Sequence, residues 1–356
     1  MRELTADNAS EYLVARGRAA PGEPIAVREL TGGVSNAVLL VELTDRGERF
    51  VLKQARGQLR VKEEWLCPIE RVWREVETLR ICGELLGMQN SERRIQNAEA
   101  SQPCVPDVLW EDRENYCFAM TAAPPEHRTW KELLLAGELA DSVDIAKACG
   151  KMLATLHGAS WGNADIAVQL DDRAFFDQLR IDPYYRQIAK VHPDLAPQVQ
   201  QLIVSVWSHR LCLVHGDFSP KNLLVWQGQV MLIDCEVGHY GDPAFDLGFF
   251  LTHLVLKAIW SELQRSMYMN LVSEFWKAYR HSLTGVVSAI EIDDLERRTV
   301  SNLAGCLLAR IDGKSPVDYL TAAKRDVVRE LSRRWIATPP RSLGEAAAFI
   351  ANSTEY

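Results

Sequence analysis

The chain has 356 residues, more than one hydrophobic core usually serves, so two lobes are expected. Hydrophobic residues make up 47% and charged residues 25%, the balance of an ordinary globular protein. The net charge of −8 argues against nucleic acid as the main partner, because a surface that tracks phosphates needs a basic excess.

Residues 5–17 read as a lead-in helix, with Thr5 as N-cap and Gly17 as its stop. Strand-like runs follow at 25–30, 37–43 and 50–53, separated by Thr31-Gly32-Gly33-Val34-Ser35-Asn36 and by Asp45-Arg46-Gly47. A helix is expected over 68–86, with Ile69, Val72, Val76, Leu79 and Leu86 on its apolar face. The polar stretch 87–104 reads as a loop. Short strands at 108–110 and 116–120 close the first half. After Pro124-Pro125 helices dominate, at 129–136, 141–157, 195–208, 246–260, 263–282, 293–310 and 316–334. Two strand-like runs at 223–226 and 230–233 interrupt them. This order gives an α+β chain: a β-rich N-lobe over 1–121, a hinge at 122–126 and a helical C-lobe over 127–356.

None of the eight cysteines forms a CxxC pair, and several stand in apolar strings such as Leu211-Cys212-Leu213. Free thiols of that kind act as small core hydrophobes, and a reducing cytoplasm is expected. No apolar signal segment follows Met1, and the stretch 245–260, with Asp246, His253 and Lys257, reads as too short and too polar to span a bilayer.

The strongest chemical signal is Val214-His215-Gly216-Asp217-Phe218-Ser219-Pro220-Lys221-Asn222, followed by Leu232-Ile233-Asp234. An Asp, an Asn five residues on, and a second Asp after a strand make up the apparatus of kinase-fold phosphoryl transfer. A carboxylate at Asp217 can accept the hydrogen bond of an attacking hydroxyl. Phosphates bring negative charge that hard cations neutralise, and Mg²⁺ takes oxygen ligands, which Asn222 and Asp234 would supply. Either residue alone is more simply a turn residue; the spacing and the flanking strands together favour the functional reading. His215 is expected to prop this loop, and Asp246 to cap its own helix, with a tie from that helix to the loop as a second expected role.

Lys53 ends the third strand, where an amine reaches the α- and β-phosphates if a carboxylate holds it. At about 100° per residue, Glu75 lies on the rim of the apolar helix face while Glu70 and Glu77 point away, so Glu75 is the expected partner. Gly32, Gly33, Ser35 and Asn36 precede Lys53 in the order expected of a phosphate-covering loop, although a Gly-Gly pair alone is usually a turn. The connector from Met120 through Ala122 to Pro124 is the expected adenine-facing hinge.

With these motifs in order, the chain resembles the aminoglycoside phosphotransferase/choline kinase superfamily. The resemblance runs from about residue 25 to 335 and implies a protein-kinase-like fold, ATP and Mg²⁺, and a small acceptor held by the helical lobe. A narrower similarity to methylthioribose kinases lies in Lys53-Gln54-Ala55, Arg60-Val61, Trp65, and Asp234-Cys235-Glu236; it implies that Glu236 assists the metal. The chain departs from that pattern in having Asn222, and a single Arg310 where paired arginines are expected.

For the acceptor, Trp161, Phe175, Tyr184, Tyr185 and Arg310 are candidates, each weighed against simple core packing. The acidic run Glu291, Asp293, Asp294 and Glu296 reads as a solvated helix start. A nucleotide-binding scaffold without turnover is the competing reading, opposed by the intact set Lys53, Glu75, Asp217, Asn222 and Asp234. A protein kinase is disfavoured: no D-F-G or A-P-E appears, and only 11 residues separate Asp234 from Asp246.

Overall fold

Strands β1 (Ile25–Glu29), β2 (Asn36–Leu43) and β3 (Glu48–Ala55) form an antiparallel meander behind a short helix α1 (Ala9–Ala15). Helix α2 (Arg71–Arg94) follows, and β4 (Val108–Asp112) and β5 (Cys117–Thr121) complete a five-stranded sheet in the order β1-β2-β3-β5-β4. The computed structural model describes residues 3–30, 36–57, 67–94 and 104–352.

The sheet is buried on both faces, and strand alternation sorts its side chains between two covers. Leu39, Val41, Leu43, Phe50 and Leu52 pack with Leu4, Tyr12 and Leu13 from the N-terminal segment. Leu40, Val51, Phe118 and Met120 belong to the core that includes Val72, Val76 and Leu79 of α2. Lys53 is two residues on from Val51, so it shares the α2 face. Its register partners are Val38 and Phe118.

Beyond Thr121, β6 (Arg128–Thr129) pairs with β8 (Leu223–Trp226), which pairs with β9 (Gln229–Leu232). Helices α3 (Trp130–Ala136), α4 (Ser142–Ser160) and α5 (Ala164–Gln169) intervene. A capping box between Thr129 and Glu132 starts α3, and Gly137 ends it with φ +74°. Next come α6 (Ala174–Phe176), a π-helical segment Asp177–Arg186, α7 (Gln187–Val191) and α8 (Ala196–Ser208). Pro183 lies inside the π segment, where its missing N–H interrupts an ordinary ladder. Strand β7 (Cys212–Val214) pairs with β10 (His239–Gly241). The remaining helices are α9 (Pro243–Trp260), α10 (Arg265–Leu283), α11 (Ala289–Asp312), α12 (Ala322–Ala337) and α13 (Leu343–Asn352).

Helix α9 is the central strut. It has 18 residues, is long and apolar enough to cross a membrane, and is 89% buried inside the protein, which is the profile of a core helix. Gly248 lets α11 approach it: a Cβ there would lie 2.6 Å from Cβ of Asn302.

Several expectations shift. Helix α1 begins at Ala9, so Thr5 is not its N-cap; Thr5 instead donates its amide to Oδ1 of Asn8. Helix α2 runs on to Arg94, through part of the expected loop. Helix α11 starts at Ala289, because Ser288 and Glu291 form a capping box. The elements between 164 and 191, together with α13, were not expected; they are short, or interrupted by Pro183, and carry weak periodicity.

Candidate active site

Two loops converge between the halves of the protein: 215–222, between β7 and β8, and 233–238, between β9 and β10. The first is held from below by Asp246 on α9. Its Oδ2 accepts the amide of His215 at 2.7 Å and its Oδ1 the amide of Gly216 at 2.8 Å. Asp246 was expected to cap its own helix; that role belongs to Asp242, which accepts the Ala244 amide at 3.0 Å. Asp246 sits a turn further in, where its helix amides are already engaged, so its carboxylate is available to the loop. Gly216 takes φ +75°, and a Cβ there would fall 2.7 Å from Val237, so the turn requires glycine. His215 Nδ1 accepts the Asp217 amide at 3.1 Å, which leaves Nε2 to donate to the Ile233 carbonyl at 3.2 Å. The imidazole thus bolts the two loops together.

Asp217 is 3% exposed and enclosed by cations. Arg180 Nη2 lies 2.8 Å from Oδ1, and Lys221 Nζ 2.8 Å from Oδ2. Asn222 Nδ2 also donates to Oδ2 at 2.8 Å. Burial pushes the Asp217 carboxyl up, but Arg180 and Lys221 outweigh it and hold it below its ordinary range. A carboxylate offers about four lone-pair sites, and three are taken, so one remains for a hydroxyl donor.

On the facing side, Lys53 Nζ is 2.6 Å from Glu75 and 2.7 Å from Asp234. Glu75 is wholly buried, while Glu70 is exposed and Glu77 pairs with Arg74. Burial lifts the Glu75 carboxyl to about 7 against the pull of Lys53, with Asp234 and Glu236 adding to the rise. For Asp234 the cations prevail over burial: Lys53 and Lys221 hold it well below its ordinary range. Asp234 also has φ +69°, a strained backbone that a β-carbon rarely adopts and that aims its carboxylate into the cleft. Glu236 Oε2 accepts from Asn36 at 2.9 Å and from Arg71 at 3.2 Å.

Carboxylate oxygens of Glu75, Asp234 and Glu236 lie within 4.8 Å of one another. Among the described residues, two cations pair directly with these three acids, Lys53 and Arg71, and one oxygen of Glu75 is buried with no partner. The residual negative charge and the all-oxygen donor set suit a hard divalent ion such as Mg²⁺. Asn222, whose Nδ2 faces Asp217, keeps its Oδ1 for such an ion.

Other expected residues fall elsewhere. Gly32, Gly33 and Ser35 lie outside the described residues, as do Arg60, Val61 and Trp65. Met120 is buried in β5, and Ala122 is half-buried beside Ala123, whose carbonyl accepts from Arg49 at 2.9 Å. Trp161 follows the end of α4 and packs on the main core, with no contact to the Asp217 cluster among the described residues. Phe175 is core packing too, and Tyr185 spends its hydroxyl on Asn302 at 2.7 Å. Tyr184 accepts from Arg310 Nη1 at 3.3 Å, and its ring lies 5.7 Å from that of Phe249, beneath Arg180.

Arg180, Arg71 and Lys221 were missed as site residues. Lys221 was legible, four residues after Asp217 in the quoted motif. Arg180 and Arg71 carried no local signal: each finds its carboxylate through contacts 37 and 165 residues distant in sequence.

Residues 26–281 match a family model described as a phosphotransferase enzyme family. The methylthioribose kinase of Pectobacterium atrosepticum is 26% identical over 283 residues, covering 72% of this chain and 66% of that protein. The chain thus spans just under two thirds of the length of the curated relatives it matches. An ethanolamine kinase from Plasmodium vivax superposes with a TM-score of 0.57 at 12% identity, covering 94% of this chain and 91% of its own. A choline/ethanolamine kinase family protein from Mesorhizobium loti gives 0.53 at 18%, covering 96% and 98%. These likenesses establish a kinase-like fold.

Proposed function

Because the chain belongs to the phosphotransferase enzyme family, we propose that it is a small-molecule kinase, moving the γ-phosphoryl group of ATP onto an acceptor hydroxyl. The observation that carries this reading is the placement of Asp217, with one free lone-pair site, across a cleft from the Lys53–Glu75–Asp234 cluster. In this reading the N-lobe spans 1–121, the hinge 122–126 and the C-lobe 127–356. A cytoplasmic location accompanies it, supported by eight free cysteines.

The acceptor oxygen forms a bond to Pγ as the bond from Pγ to the β,γ-bridging oxygen breaks, and ADP departs with that electron pair. The hydroxyl proton is held by Asp217 and passes on to solvent or product. With its pKa depressed, Asp217 is a weak base, so its main contribution is to aim the hydroxyl in line, which suits a loose transition state. Lys53, fixed by Glu75, pairs with the α- and β-phosphates. Asn222, Asp234 and Glu236 would hold Mg²⁺, which would supply positive charge against the phosphates when bound.

The experiment is a matched pair of measurements on Asp217→Asn. Mg-ATP affinity should survive, and transfer to acceptor should fall on the order of a hundredfold or more. A rate that barely changes would favour the competing reading, a nucleotide-binding scaffold without turnover, which the intact set of charged site residues opposes.

A further inference from the structure

Next to Lys221, the partner of Asp217, a cavity of about 40 Å³ opens to solvent. Four cations line it: Lys131 from α3, Lys221 from the catalytic loop, Lys257 from α9 and Arg310 from α11. His253 and Tyr319 line it as well, and Asp318 is its one carboxylate. Lys221 is neutralised by Asp217 at 2.8 Å. Among the described residues, no carboxylate lies within 4.0 Å of the charged nitrogens of Lys131, Lys257 or Arg310.

Lys257 is only 1% exposed, and among the described residues its one hydrogen bond is to the His253 carbonyl at 3.2 Å. Its ammonium also sits 5.6 Å from the centre of the Tyr319 ring. Buried cations are normally paired, because an uncompensated charge in a low-dielectric interior is strongly unfavourable. Three further polar atoms of the lining residues are buried without hydrogen-bond partners among the described residues: Nε of Arg310, Nε2 of His253 and the Tyr319 hydroxyl. These polar atoms, beside cations that no carboxylate meets among the described residues, suit a ligand of negative charge.

We propose that the acceptor carries an anionic group, a carboxylate or a phosphate ester, seated among Lys131, Lys257 and Arg310 with its hydroxyl toward Asp217. This rests on the kinase reading and narrows its substrate class. Lys221 bridges the two functions, since it lines the cavity and touches the reacting carboxylate. A cationic acceptor such as ethanolamine would meet three uncompensated like charges, so the pocket selects against it as well as for an acid.

The test fills the nucleotide site with Mg²⁺ and a non-hydrolysable ATP analogue, then titrates inorganic phosphate and, separately, acetate calorimetrically. Saturable binding of at least one anion is expected, weakened roughly tenfold or more in Lys257→Met. That substitution removes a buried unpaired charge, so it should leave the fold intact; Lys131→Met, at an exposed position, gives a second variant. Absence of saturable binding, or equal binding in wild type and both variants, overturns the proposal. Glucose, glucosamine, gluconate and glucose 6-phosphate share a skeleton and differ in charge, and ADP release reads their turnover. Preference for an acidic member is expected, with its KM raised in Lys257→Met and the KM for ATP unchanged. Preference for glucosamine would overturn the anionic acceptor and leave the kinase reading standing. Intact anion binding with no transfer to any hydroxyl of a broad acceptor library would instead sink the kinase reading alone.

Discussion

Arg180 grips the catalytic loop at two points: its Nη2 lies 2.8 Å from Oδ1 of Asp217, and its Nε donates to the Gly216 carbonyl at 2.7 Å. Both residues are nearly excluded from solvent. The guanidinium therefore fixes the carboxylate's orientation as well as neutralising it. Arg180→Met should leave Asp217 buried with one cation fewer, at a stability cost of about 3–5 kcal/mol. Turnover should fall while Mg-ATP affinity holds, because Arg180 acts on the acceptor side. Arg180→Lys, which keeps the charge but not the two-point grip, should recover stability more than rate. A loss of nucleotide affinity equal to the loss of rate would show that Arg180 supports the whole cleft instead.

The acid cluster gives a metal-dependence prediction. Glu75, Asp234 and Glu236 outnumber Lys53 and Arg71, so ATP without a divalent ion brings more negative charge to a site already in excess. Calorimetric titration with ATP should show much weaker binding without Mg²⁺ than with it. Equal affinity in the two conditions would remove Asn222, Asp234 and Glu236 from their assigned role.

Asp246 should report on acid stability. Burial pushes its carboxyl up, but the bond from His157 and the nearby imidazoles outweigh that and keep it below its ordinary 3.8. A depressed carboxyl contributes stability that is present above the unfolded value and lost as pH falls through the folded one. Asp246→Asn should cost about 1–3 kcal/mol at pH 7, since two loop amides lose a charged acceptor. It should also flatten the loss of stability below pH 4. Urea unfolding at pH 7 and pH 3.5 measures both; an unchanged acid limb would contradict the assignment.

Lys257 predicts the pH dependence of anion binding. Burial, reinforced by Lys131 and Arg310, lowers its pKa to about 7. The groups facing it are Lys131 on α3, Lys221 on the catalytic loop, Arg310 on α11, Asp318 and Tyr319 beyond α11, and His253 on its own helix. Burial and the surrounding cations hold His253 well below its ordinary range, so it stays neutral near pH 7. Lys257 is charged below pH 7 and must take up a proton to bind an anion above it. Phosphate affinity, corrected for phosphate's own ionisation, should weaken by up to about tenfold per pH unit above 7. In Lys257→Met this slope should vanish; a slope that persists would place the titration elsewhere.

What the sequence by itself determined was whatever depends on near neighbours along the chain. The helical phase of α2 set Glu75 on the buried rim, and strand alternation set Lys53 on the same side as Val51. The spacing from Asp217 to Asn222 and the strand before Asp234 marked both loops. The acceptor side was largely illegible: Trp161, Phe175 and Tyr185 stood out as aromatics and turned out to pack the core. Arg310 was identified, but its companions Lys131 and Lys257 look in sequence like any amphipathic lysine. Only the tertiary structure decided that α3, α9 and α11 would bring three cations to one cavity whose single carboxylate, Asp318, pairs with none of them among the described residues. Periodicity records which face of a helix is buried; it does not record which charges from distant elements share a space. The low dielectric of that shared space turns unremarkable lysines into a recognition site.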